Sequence, residues 1–83
     1  MNKLLIILTT LATLVFASVD INNASLKELT TLKGIGKKKA EAIINFRKSH
    51  CFRSVDELTK VKGIGKKILE KNRKQIIVGE CKK

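Results

Sequence analysis

Two stretches of this sequence carry chemistry, and each is a copy of the other. Lys33-Gly34-Ile35-Gly36-Lys37-Lys38 returns unchanged as Lys62-Gly63-Ile64-Gly65-Lys66-Lys67. Glycine admits positive φ and puts no side chain between the backbone and a visitor, so each Gly-x-Gly can turn sharply and be approached closely. A helix that opens directly after such a turn has first N–H groups without partners and a macrodipole that adds partial positive charge at the same end. A phosphate oxygen satisfies both. Lys37, Lys38, Lys66 and Lys67 fall in those first turns, where cations oppose the dipole and are a poor choice for stability. That choice, made twice, points to an anionic partner. Ile35 and Ile64, between the glycines, read as core anchors that hold each loop while its backbone faces out.

The elements that position these corners repeat as well. At an offset of 29 residues, Gly34 to Gly63, residues 26–43 align with 55–72, and 10 of the 18 positions are identical. The chain therefore reads as two copies of one helix-turn-helix unit, motif one over 25–48 and motif two over 54–78, in an all-α fold. Ser25 with Glu28, and Ser54 with Glu57, have the spacing of a capping box, each worth on the order of 1 kcal/mol. Ala40, Ile43 and Ile44 share one face of the helix after the first corner, which should end near Lys48 or Ser49. Phe52 plugs the joint between the units. The last long helix runs from about Lys66 into Arg73, with Ile68 and Leu69 toward the core. Gln75 to Val78 is either its end or an extended segment packing back, and Glu80 to Lys83 reads as a frayed tail.

Leu29, Leu32, Gly34, Ile35, Gly36, Ala40, Ile43 and Ile44 sit on the apolar and glycine positions of the helix-hairpin-helix motif, a sequence-independent DNA-binding unit that this stretch closely resembles. Leu58, Val61, Gly63, Ile64, Gly65 and Leu69 match it in the second copy. The resemblance implies a tandem helix-hairpin-helix domain of four helices. Its DNA contacts would come from residues 33–38 and 62–67.

At 83 residues there is room for one small domain, and a targeting segment takes part of it. A basic start, Met1 to Lys3, leads into an apolar run from Leu4 to Phe16, too short to span a bilayer comfortably as a helix. With Val15-Phe16-Ala17 before a plausible cleavage point, residues 1–17 read as a secretory signal peptide and 18–83 as the domain. An uncleaved anchor in the inner membrane is the competing reading. Lys3 aside, every lysine and arginine and all 7 acidic residues fall after residue 17, leaving +10 of the chain's +11 there. Such charge suits nucleic acid, an acidic membrane surface or a polyanionic glycan, and does not choose among them.

The order of parts narrows the resemblance. Signal peptide, a Val-Asp-Ile-Asn-x-Ala lead-in from Val19 to Ala24, paired hairpins and an Ile/Val-rich close from Ile76 to Val78 together resemble the ComEA-type competence proteins. That resemblance implies a periplasmic receptor for incoming double-stranded DNA in natural transformation, with the DNA-uptake machinery as a partner. Single strands would be a secondary ligand; no cofactor, metal or small-molecule substrate is implied. Two departures stand out. Lys33 and Lys62 occupy a position where the family often has proline, which adds charge and removes a rigid turn element. Cys51 stands where small turn residues often precede the phenylalanine.

Cys51 and Cys81 are the only cysteines, and an oxidising compartment makes a bridge between connector and tail reasonable. The spacing alone leaves a bridge and two free thiols both open. Two cysteines and His50 are a poor zinc set, and His50 beside Cys51 lacks a third group to orient it for catalysis. His50 reads as solvent-exposed. Two other functions compete with DNA reception. A small nuclease would need metal-binding carboxylates or an activated nucleophile, and Glu28 and Glu57 are already explained as caps. A basic interaction protein for anionic envelope components is allowed by composition, though the Gly-Ile-Gly corners do not predict it.

Overall fold

A computed structural model describes residues 18–81. The signal-peptide reading of 1–17 and the last two lysines lie outside the described residues. Strand β1 (Val19–Asp20) leads through a turn into helix α1 (Leu26–Leu29), the first corner and helix α2 (Lys37–Ser49). The second copy follows as a 3-10 helix (Val55–Lys60), the second corner and α3 (Lys66–Asn72), which tightens into a 3-10 turn (Arg73–Gln75) before β2 (Ile76–Ile77). The class is all-α, with four helical segments in two hairpins and one short strand pair.

The repeat packs as a repeat. Leu29 and Leu58, Leu32 and Val61, Ile35 and Ile64, and Ala40 and Leu69 are all buried at equivalent positions. The first segments of both copies are stopped by the same device: Thr30 and Thr59 turn their hydroxyls back to donate to the carbonyls of Lys27 and Asp56, at 2.8 and 3.0 Å. Such back-bonding competes with helix continuation, and the chain reaches its corners after about one α turn in the first copy and two 3-10 turns in the second. Phe52 is buried at the joint and stacks on Phe46 with ring centroids 5.2 Å apart.

Three local expectations are corrected. The capping box forms at Ser25, whose hydroxyl accepts from the Glu28 N–H at 3.1 Å while the Glu28 carboxylate accepts from the Ser25 N–H at 2.9 Å. It does not form at Ser54, which makes no side-chain cap. Glu57 instead accepts from the Arg53 N–H at 2.7 Å, one residue earlier, in a segment that winds as a 3-10 helix of about three residues per turn. That hydrogen bond, with Lys60 assisting, holds the Glu57 carboxyl below its usual range.

The tail, secondly, is not frayed through Cys81. Strand β2 pairs in parallel with β1, Val19 opposite Ile76 and Asp20 opposite Ile77, so of the stretch from Gln75 to Val78 the part from Ile76 on takes the extended alternative, while Gln75 closes the 3-10 turn. Cys51 and Cys81 are joined in a disulfide, with Cα atoms 5.8 Å apart. Asn22 adds a polar stitch: its side-chain amide donates to the carbonyls of Phe52 and Gly79, each at 2.9 Å, and its oxygen accepts from the Phe52 N–H at 2.8 Å. The Asp20 carboxylate accepts from the N–H groups of Asn22 and Gly79 and from the Asn23 side chain. A Cβ at Gly79 would land on that carboxylate. Burial pushes the Asp20 carboxyl up, but the hydrogen bonds outweigh it and hold the pKa below its ordinary value. Its stabilisation is therefore present at neutral pH and fades as pH falls through that lowered pKa.

The third correction concerns the glycines and belongs with the corners.

Candidate nucleic-acid interface

Each corner is a tight turn closed by one backbone hydrogen bond. The Leu32 carbonyl accepts from the Ile35 N–H at 3.2 Å, and the Val61 carbonyl from the Ile64 N–H at 3.0 Å. Gly34 and Gly63, third in each turn, take φ of +77° and +92°, the geometry of a type II turn that demands glycine there. Ile35 and Ile64 are each 3% exposed and anchor the loops to the core as their position between glycines predicts.

The second glycines answer a different need. Gly36 and Gly65 have φ of −92° and −101° with ψ near 180°, a backbone any residue adopts. A Cβ built on either would meet nothing within 4 Å. Only one glycine of each pair therefore takes positive φ, and the fold does not require the other. Both sit at the N-cap of the helix that follows, where serine, aspartate or asparagine would hold the free amides; glycine leaves them unheld. No side chain caps α2 or α3, and neither has an acidic residue in its first turn. Lys37, Lys38, Lys66 and Lys67 are exposed there, as are Lys33 and Lys62 on the turns. Among the described residues the ion pairs are Lys60 with Glu57, and Arg73 with Asp56 and Glu70. None draws on a corner lysine.

The corners lie side by side. A Cβ at Gly34 would touch Ile68 Cγ1 at 3.4 Å, on the helix that follows the other corner. A Cβ at Gly63 would touch Lys39 Cε at 3.6 Å, on the helix that follows the first. Lys39 and Ile68 are equivalent positions of the repeat, so each copy's turn rests on the start of its sister's second helix in a reciprocal, two-fold-like arrangement. Both exposed corners thus gather at the N-terminal end of α2. The disulfide lies past the other end of that helix, about 20 Å away at 1.5 Å per residue.

Asn72 was not singled out from the sequence. It is 1% exposed, and its side chain brackets the first corner, accepting from the Lys33 N–H at 2.8 Å and donating to the Lys33 carbonyl at 2.9 Å. A third bond runs to the Ile68 carbonyl. The signal was available: Asn72 is the polar counterpart of buried Ile43 in an otherwise apolar stripe. His50 is exposed and packs beside the Phe46 ring, and Cys51 is committed to its bridge.

The two kinds of glycine predict opposite outcomes. Gly34→Ala or Gly63→Ala forces a side chain into left-handed backbone and should cost about 1–2 kcal/mol each in urea unfolding. Gly36→Asp or Gly65→Asp should stabilise the fold by about 0.3–1 kcal/mol, by capping the helix and complementing its dipole. Nucleic-acid affinity, read by fluorescence anisotropy, should nevertheless fall about tenfold or more per site if the corners face an anion, as a carboxylate then meets it.

Comparison with known proteins agrees with this geometry. A family model described as helix-hairpin-helix motif matches residues 15–77. A Haemophilus influenzae protein described as uncharacterized is 47% identical over 61 residues, covering 71% of this chain and 54% of that relative. The chain thus spans about half the length of the curated relative it matches. The motif serves nucleic-acid binding in general, and the chain belongs to the helix-hairpin-helix family.

Proposed function

We propose that this protein is a sequence-independent receptor for double-stranded DNA, acting in the periplasm of a naturally transforming bacterium in the manner of the ComEA-type competence proteins. The observation that carries the reading is the pairing of two exposed corners, each with an uncapped helix start and a glycine that the fold itself does not need. One helix start of this kind is an ordinary surface feature. Two neighbours, with lysines that oppose their dipoles, suit consecutive phosphates of one backbone. Aromatic stacking on bases has little to work with: Phe46 and Phe52 are the only aromatic residues after residue 17, and both are turned to packing.

Localisation rests on the reading of residues 1–17 as a signal peptide, and the disulfide accords with an oxidising compartment. The uptake role rests on the order of lead-in, hairpins and close. Binding without catalysis is favoured by the engagement of five of the seven carboxylates in the fold: Glu28 in its cap, Glu57 on Arg53, Asp20 on the lead-in, and Asp56 and Glu70 on Arg73.

With about five phosphates engaged, log K for unrelated duplexes should fall against log salt with a slope of roughly −4 to −5. The values should agree between sequences. A slope near zero, or strong preference for one sequence, would contradict the proposal. Anionic vesicles that displace duplex at equal charge would favour an envelope-surface role instead.

A further inference from the structure

The surfaces flanking the two corners differ where the repeat would make them alike. Beside the first corner lies an open groove of about 530 Å³, lined by Thr31, Lys33, Glu70, Lys71, Lys74 and Gln75. Shifted by the repeat offset, Lys71 corresponds to Ala42 and Lys74 to Asn45, so these two cations exist in one copy only. Lys71 and Lys74 are three apart along the continuous run from α3 into its 3-10 turn and share a face.

The one carboxylate in that groove is already matched. Arg73, outside the lining, donates to Glu70 from Nη2 at 2.6 Å and from Nε at 3.2 Å, and also to Asp56 at 2.8 Å. The hydrogen bond from Arg73 keeps the Glu70 carboxyl below its usual range. Lys33, Lys71 and Lys74 have no ion pair among the described residues. The groove that Lys60 and Phe46 line is different: it contains Glu57, which pairs with Lys60 at 3.6 Å. The first flank therefore offers three uncommitted cations around a neutralised carboxylate; the second keeps Lys62 but has Ala42 and Asn45 where Lys71 and Lys74 stand, and its groove, which runs on to Cys51 at the disulfide end, adds only Arg53 to the Lys60–Glu57 pair.

Resting on the reading of the chain as a duplex binder, we infer that the groove between the first corner and the end of α3 takes a further backbone phosphate of the same duplex, held by Lys33, Lys71 and Lys74. The footprint then extends past the first hairpin and has no equivalent beyond the second. Lys33 belongs to both corner and groove, which makes the two contacts continuous along one nucleic-acid backbone.

The test compares two variants of the full chain with equal loss of charge. Lys71→Gln with Lys74→Gln removes the groove cations; Lys27→Gln with Lys48→Gln removes two exposed lysines elsewhere. The first pair should make the salt slope shallower by up to about 0.9 and weaken duplex binding up to about 8-fold at 0.1 M salt, as expected for one phosphate contact. The second should change the slope by less than half as much. Duplex should also protect Lys71 and Lys74 of the unaltered chain from acetylation more than Lys27 and Lys48. Equal effects of the two pairs, or no effect of the first on a steep slope, would overturn the inference alone. Absence of duplex binding by the unaltered chain would overturn the receptor reading and this inference with it.

Discussion

Replacing Lys37, Lys38, Lys66 and Lys67 together with glutamine should lower affinity for any duplex on the order of 10³-fold at 0.1 M salt, and flatten the salt dependence toward a slope of about −1. Each phosphate neutralised by a lysine releases condensed counterions, with an exponent of about 0.9 per contact, and four contacts multiply. Loss should be uniform across sequences, because backbone contacts position the protein without reading bases. The same substitutions should leave the melting temperature unchanged or raised, since cations in the first turn oppose the helix dipole. A variant that binds as well as the parent would remove the corners from the interface. One that unfolds would show that the lysines serve the fold.

The second large effect concerns the Cys51–Cys81 bridge. It closes a loop of sequence separation 30, which in the chain-entropy account stabilises by roughly 2–4 kcal/mol. In so small a domain that corresponds to roughly 15–30 °C in melting temperature. Reduction, or Cys51→Ser with Cys81→Ser, should lower the melt by that amount, because the core is thin and such domains are marginal without a staple. Duplex affinity measured well below the lowered melt should stay within about twofold, since the bridge lies a helix length from the corners. Equal melts with and without reductant would mean that β1, β2 and Asn22 hold the ends unaided. A parallel loss of affinity would tie the bridge to the corners.

What the sequence discloses is what repeats or stays local. The corners, the inward isoleucines, the Ser25 cap, the end of α2 at Ser49 and buried Phe52 all follow from spacing and residue type. Ser54 and Glu57 have the same spacing as the first cap and still do not form one, because the Glu57 carboxylate takes the Arg53 amide instead. Gly34 and Gly36 look equivalent in a motif, yet one is fixed by its own dihedral and the other left free for a visitor; only backbone geometry separates them. The ordering of the tail depends on contacts between residues nearly sixty positions apart, Asp20 with Gly79 and Asn23 with Glu80, which no local periodicity encodes. Asn72 was legible only as a break in the apolar stripe, and its partner, the Lys33 peptide, lies in the other copy.

These features give the interface a consistent economy of parts. The apolar repeat fixes two corners by their isoleucines, reciprocal contacts with Lys39 and Ile68 set them side by side, and Asn72 holds the first in place through its peptide. At the far end of α2, the disulfide, the strand pair and the Asn22 stitch bind lead-in, connector and tail. Stability is thus concentrated away from the corners, where the sequence twice keeps residues that a merely stable helix start would not choose.

The most direct test is a titration of the isotope-labelled protein with a short duplex, following backbone amides by NMR. The amides of residues 36–38 and 65–67 should shift together and saturate at one stoichiometry, while those of Asn22, Phe52 and Gly79 stay in place. Shifts confined to one corner, or centred on the disulfide end, would contradict a paired phosphate grip.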